Sequence, residues 1–126
     1  MADYEYKIEG DVFYFNYLKM ATTDAQAHEQ ADLVRSLLSK PHIKKFLNDN
    51  RSVTTVANPE VSSVWVELMS SVSKHVEKNA TIASSDALKM QLNRISKTAG
   101  TYDNVRAFTD VNEALEFVGI PNAKIN

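Results

Sequence analysis

The chain has 126 residues, of which 44% are hydrophobic and 24% charged, enough apolar side chain to bury one core and too little excess charge for a disordered chain. A formal net charge of −2, with Lys and Arg scattered along the sequence, provides no field to gather nucleic acid. There is no cysteine, which excludes disulfides, thiol nucleophiles and thiolate metal sites and favours an intracellular reading.

Tyr4, Tyr6 and Ile8 alternate with Glu5 and Lys7, a short strand with its rings on one side. Glu9-Gly10-Asp11 reads as a turn, and the aromatic run from Val12 to Leu18 as a strand covered on both faces, so the chain opens with a β-hairpin. Thr23 and Gln26 have the spacing of a capping box. Ala27, Ala31, Val34 and Leu38 then trace one helical face, which Lys40-Pro41 ends. Two segments compete for the next strand. Ile43 to Leu47 is short and runs into Asn48-Asp49-Asn50, which looks like a turn. Ser52 to Ala57 is β-branched and leads straight into the following helix, so it is the favoured central strand.

That helix has the most regular apolar stripe in the chain. Asn58 is an N-cap candidate, Pro59 suits the first helical position and Glu60 the positive end of the dipole. Val61, Val64, Trp65, Leu68, Met69, Val72 and Val76 then recur at three and four residues, so they share a face that must be buried. Trp65 falls in register with this core stripe. Ala80 to Ser84 is a short apolar run. Ser84-Ser85-Asp86 offers caps for a helix carrying Leu88, Leu92, Ile95 and Ala99, stopped by Gly100. Asn104 to Thr109 reads as the last strand. Asp110 with Glu113 caps a final helix bearing Val111, Ala114, Leu115 and Val118, closed by Gly119 and Pro121, and residues 121–126 form a fraying tail.

The order is hairpin, helix, strand, helix, strand, helix, strand, helix. Within one domain spanning 1–126, it predicts an α/β fold with a mixed, mostly parallel sheet, an N-terminal β-hairpin and about four helices. In such sheets the carboxyl ends of strands and the helix starts beyond them form the usual functional rim, where Asn58 to Ser63 lie.

Three pieces carry a resemblance to the STAS domain, the SpoIIAA-like fold of bacterial anti-sigma-factor antagonists. Val61-Ser62-Ser63-Val64 opens a long helix, Asn79-Ala80-Thr81-Ile82-Ala83 forms a strand, and the stretch from Val105 to Leu115 ends in a Glu-Ala-Leu helix. The resemblance covers Tyr4 to Val118. It implies a non-enzymatic, cytoplasmic, bacterial signalling protein that binds a partner, either an anti-sigma factor that is also a serine kinase or another signalling subunit, and that phosphorylation of a serine would switch. In that family the phosphorylated serine lies in an Asp-Ser-Ser-Gly turn. One alignment puts Glu60 at the Asp, Val61 and Ser62 at the serines and Ser63 at the Gly; a shift of one puts Ser62 and Ser63 at the serines and Val61 at the Asp. Neither of these restores Asp or Gly, and a third puts Asn58 and Pro59 at the serine pair, which removes the phosphoacceptor.

The candidate phosphorylation sites are therefore Ser62 and Ser63, where added charge would alter a docking surface. The candidate partner-binding rim comprises Asn58, Pro59, Glu60, Ser62 and Ser63. His28, His42 and His75 have no ligand spacing, and no Gly-rich loop or nucleophile elbow is present, so no metal, cofactor or catalytic residue is expected. Met1-Ala2-Asp3 does not begin a signal peptide and no run reaches membrane-spanning length, so no nucleic acid and no stable membrane insertion are expected among the partners. The rival reading is a carrier of a lipid or small apolar ligand, similar in fold to STAS/SEC14-like proteins, with Phe13 to Tyr17 lining an apolar pocket. A third is a homo-oligomer formed through an exposed edge strand. An enclosed apolar cavity would favour the carrier, and a packed sheet with an open rim the partner module.

Overall fold

The computed structural model describes residues 4–19, 23–40, 42–53, 59–120 and 123. Its elements are β1 (Tyr4–Glu9), β2 (Val12–Tyr17), α1 (Asp24–Leu38), β3 (Lys45–Asn50), α2 (Pro59–His75), β4 (Lys78–Ala83), α3 (Asp86–Ala99), β5 (Val105–Phe108) and α4 (Val111–Phe117). One five-stranded sheet runs in the order β1-β2-β3-β4-β5, the same as chain order. β1 pairs antiparallel with β2 across a turn at Gly10, whose φ of 61° is a left-handed conformation that glycine adopts without steric cost. β2 through β5 are parallel.

Parallel neighbours require crossovers, and crossovers are right-handed. Because successive strands are added on the same side, right-handed connections carry α1, α2 and α3 over one face of the sheet. Among the described residues, α4, which follows the last strand, is the one helix that covers the other. The two hydrophobic clusters follow this division. Phe13, Phe15 and Tyr17 of β2 and Phe46 of β3 pack with Ala27, Ala31, Val34 and Leu38 of α1 and with the α2 stripe. Leu47, Ala80 and Ile82 pack with Ala114, Leu115 and Val118 on the α4 side. Phe46 and Leu47 are consecutive and point to opposite faces, as the two-residue period of a strand requires.

The helix starts follow local hydrogen-bond chemistry. Thr23 accepts from the Gln26 amide at 3.2 Å, Ser85 from that of Leu88 at 3.2 Å, and Asp110 from those of Asn112 and Glu113 at 2.7 and 3.2 Å. α3 ends on Gly100 at φ 76°, with the glycine amide donating back into the last turn. Inside, the Ser96 hydroxyl donates to the Val105 carbonyl at 2.5 Å and lies 3.0 Å from Thr101 Oγ1, tying α3 to β5 with polar groups satisfied internally.

Three sequence expectations are corrected. The central strand is Lys45–Asn50 and not Ser52–Ala57: Arg51 and Ser52 form a turn, and residues 54–57 lie outside the described residues. The Asn48-Asp49-Asn50 run is likewise strand rather than turn. Asn48 and Asp49 find ladder partners on both sides, Asn48 between Phe15 and Thr81, and Asn50 pairs with Ala83; these ladders outweigh the weak strand preference of Asn and Asp. β2 is not equally covered on both faces. Phe13, Phe15 and Tyr17 are buried under α1 and α2, whereas Tyr14 and Asn16 on the other side are half-buried, because the single helix α4 reaches only the β3–β5 part of that face. The tail expected at 121–126 lies outside the described residues except for Ala123, which packs against the α4 cluster.

Candidate functional site

α2 does place an apolar stripe in the core: Val61, Val64, Leu68, Val72 and Val76 are buried. Trp65 and Met69 are only half-buried, because where α2 and α3 lie side by side over β3 and β4 the helices do not fill the space against the sheet. A partly open cleft of about 60 Å³ remains. Its floor is the sheet, through Phe15, Phe46, Asn48, Asn50, Asn79 and Ala83. Trp65, Leu68, Met69 and Val72 of α2 form one wall, and Leu88, Gln91, Leu92 and Ile95 of α3 the other.

The cleft is graded from end to end. Phe46, Val72 and Ile95 make one end apolar. Asn79 is tied up there, its side-chain amide donating to the Phe46 carbonyl at 2.9 Å. Asn48 and Asn50 lie on the same strand face as Phe46, one and two steps further toward the carboxyl end of β3, opposite Thr81 and Ala83 of β4. At that end the Ser84 hydroxyl donates to the Val53 carbonyl at 2.6 Å, joining the ends of the two strands. Trp65 approaches from the second turn of α2, its ring meeting the Tyr17 ring edge-on at 5.6 Å, while the Tyr17 hydroxyl donates to Gln30.

Three polar atoms here are buried without a hydrogen-bond partner: Asn48 Oδ1, Asn50 Oδ1 and Trp65 Nε1. All three residues line the cleft. An orphaned buried donor or acceptor costs about 1–3 kcal/mol, so three in one cleft is a large concession in a molecule whose total stability is only about 5–15 kcal/mol. Among the described residues, no Asp, Glu, Lys, Arg or His lines the cleft. Asp49 points to the other face and is held by Arg51, with contacts of 3.0 and 2.8 Å; that bond raises the guanidinium's proton affinity still further. The described lining offers apolar contact with a few amide, hydroxyl and indole groups.

Of the rim residues expected from sequence, Pro59 is the first residue of α2, and Pro59 and Glu60 are exposed. Asn58 lies outside the described residues. Ser62 is within the helix backbone, and Ser63 is exposed in the same turn with its hydroxyl donating to the Pro59 carbonyl at 3.1 Å. The serine pair is thus helical, not part of a turn preceding the helix. His28, His42 and His75 are exposed on separate elements, and among the described residues no group of three His, Asp or Glu is placed to hold a metal. Asn48 and Asn50 were not found by sequence reasoning. The available signal was the alternation Phe46-x-Asn48-x-Asn50, which puts two amides on a core face as soon as the strand is extended through them.

No family model matches the chain, and no curated protein does. Among solved structures it is similar to an uncharacterized protein from the DUF3478 family with a SpoIIAA-like fold, from Shewanella loihica PV-4. The two share 16% identity over 91% of each chain, with a TM-score of 0.63. The chain has a SpoIIAA-like fold.

Proposed function

We propose that this is a non-enzymatic module that binds a small, largely apolar ligand in the cleft between the sheet, α2 and α3. The supporting observation is the apolar cleft that α2, α3 and the sheet leave open, since protein interiors are otherwise close-packed with few voids larger than a water molecule. The sequence alone favours partner binding over ligand binding; the cleft reverses that order. Its size also narrows the carrier reading. A void of about 60 Å³ is less than half the roughly 150 Å³ of an engineered cavity that takes benzene, so the ligand is a small molecule and a two-chain lipid does not fit. Xenon, which enters dry apolar voids, provides the test. Under pressure it should shift the NMR methyl signals of Met69, Leu92 and Ile95 and leave those of Val118 and Leu115, across the sheet, in place. No shift at the cleft methyls would defeat the reading.

The exposure of Ser63 near the start of α2 supports a second reading, a docking surface for a signalling partner in a bacterial cytoplasm, switched by phosphorylation. A phosphate there would lie close to the positive end of the helix, but a kinase must first release the hydroxyl from Pro59. Ser63→Asp should abolish capture of a serine-kinase-like partner that Ser63→Ala retains; equal capture by both variants would dismiss the switch. Among the described residues no helix is long and apolar enough to cross a membrane.

A further inference from the structure

The two edges of the sheet are finished in opposite ways. β5, at one end, is four residues long, and each backbone group it turns away from β4 is taken. The Val105 amide donates to the Thr101 carbonyl at 2.8 Å and the Val105 carbonyl accepts from Ser96. The Asn93 side chain donates to the Ala107 carbonyl at 3.2 Å and accepts from the Ala107 amide at 2.7 Å. β1, at the other end, is six residues long and pairs with β2 without a bulge. The two-residue turn Gly10-Asp11 closes the hairpin on Glu9 and Val12. Antiparallel partners alternate between pairs that exchange both backbone bonds and pairs that exchange none, so Glu9, Lys7 and Glu5 bond to β2, and Ile8, Tyr6 and Tyr4 turn their N–H and C=O groups outward. Among the described residues those outward groups have no partner, and such an edge is a template for another strand.

The charges on β1 select the strand that fits. Glu5, Lys7 and Glu9 are exposed on the α4 face; Lys7 holds Glu9 at 3.0 Å, whereas Glu5 has no ion-pair partner among the described residues. On the opposite face Tyr4 stacks on Phe15, and Tyr6 lies edge-on to Phe13 and is 48% exposed. We infer that β1 pairs antiparallel with β1 of a second copy about a two-fold axis at Tyr6, joining the two sheets into one. In this register every outward group of Tyr4, Tyr6 and Ile8 meets an outward group of the other copy. Tyr6 faces Tyr6, Tyr4 faces Ile8, and each Glu5 lies opposite the other copy's Lys7. Moving the axis one residue sets Lys7 against Lys7 or Glu5 against Glu5, and like charges directly opposite are destabilising. The contact is isologous, so it closes as a dimer and leaves the plugged β5 edges outermost. No described residue of β1 lines the cleft, so the inference is independent of ligand binding.

Sedimentation equilibrium of the full chain over rising concentration tests this directly. Wild type should move from the 14.1 kDa of one chain toward twice that mass. Lys7→Glu and Glu5→Lys should each weaken association about tenfold, since both opposed ion pairs become like-charge pairs. An equimolar mixture of these two variants should recover it, because every opposed pair then carries opposite charges. Tyr6→Pro, which removes an outward amide and no bond to β2, should abolish it. The charge variants alter exposed side chains alone and keep the test valid if Tyr6→Pro fails to fold. A wild type that stays monomeric at millimolar concentration leaves the edge to a strand of some other protein and overturns self-pairing. A dimer untouched by Tyr6→Pro, or by both charge variants, is built on a different surface, and the inference fails. Weakening by both charge variants without recovery in their mixture overturns the register centred on Tyr6.

Discussion

The two faces of the sheet are built from the same strands but closed differently. On the α4 side, Leu47, Ala80 and Ile82 cluster with Ala114, Leu115 and Val118, and each of these six residues is at most 3% exposed. On the other side three helices cover the strands, yet the gap between α2 and α3 leaves an apolar cleft with unsatisfied amides and an indole N–H. More covering helices have produced the less complete core. Packing against a sheet depends on side chains interlocking to crystal-like density, and one short helix carrying small residues does this better than two long ones separated by a slot. The asymmetry indicates which face is optimised for stability and which carries a cost that stability alone does not explain.

Truncations should expose the contrast most strongly. Ile82→Ala, on the closed face, should cost about 2–5 kcal/mol in urea unfolding, whereas Leu92→Ala, which already borders open space, should cost about 1 kcal/mol; equal losses would mean that the faces are equally packed. Enlarging two alanines of the same strand reverses the sign. Ala80→Val forces a methyl group pair into the closed side and should cost about 1–3 kcal/mol, while Ala83→Val grows toward the cleft and should be neutral or stabilising by up to about 1 kcal/mol.

Asn48→Leu should raise stability by about 1 kcal/mol, since an orphaned acceptor is replaced by an apolar group of similar volume. A loss instead would show that the amide is satisfied in solution and that the cleft is not strained by it.

The smallest effect concerns Tyr14, at the edge of the α4 side. Burial, followed by the nearby carboxylate of Glu9, raises its phenol above the ordinary value of 10.0. A group raised on folding contributes stability that is complete below its unfolded value and lost as pH rises through the folded one. Tyr14→Phe should therefore lose less stability than wild type as pH climbs beyond about 10; identical alkaline profiles would remove the shift.

Much of the architecture was legible because its signals are local. Thr23, Ser85 and Asp110 cap their helices through hydrogen bonds no more than three residues away, and Gly100 ends α3 by its own backbone freedom. β3 was misplaced because Asn48 and Asn50 look like turn formers when considered alone; only pairing, of Asn48 with β2 and β4 and of Asn50 with β4, makes them strand, and pairing is not a local property. The cleft was invisible for the same reason, being a gap between α2 and α3, which are separate stretches of sequence. Trp65 fits the apolar stripe by spacing, and nothing in the spacing tells that its nitrogen ends up unpartnered. The serine pair was placed at the beginning of the correct helix, but sequence could not show that Ser63 is back-bonded to Pro59.

The strands lie side by side in the order in which they are synthesised. During translation each new strand meets an edge that is already formed, so the sheet can grow by accretion from the hairpin outward, with little long-range searching. The cleft becomes a chamber only when α3 docks, after residue 99 has left the ribosome. A nascent chain therefore has most of its sheet before it has the cleft, whose second wall is among the last parts of the fold to arrive.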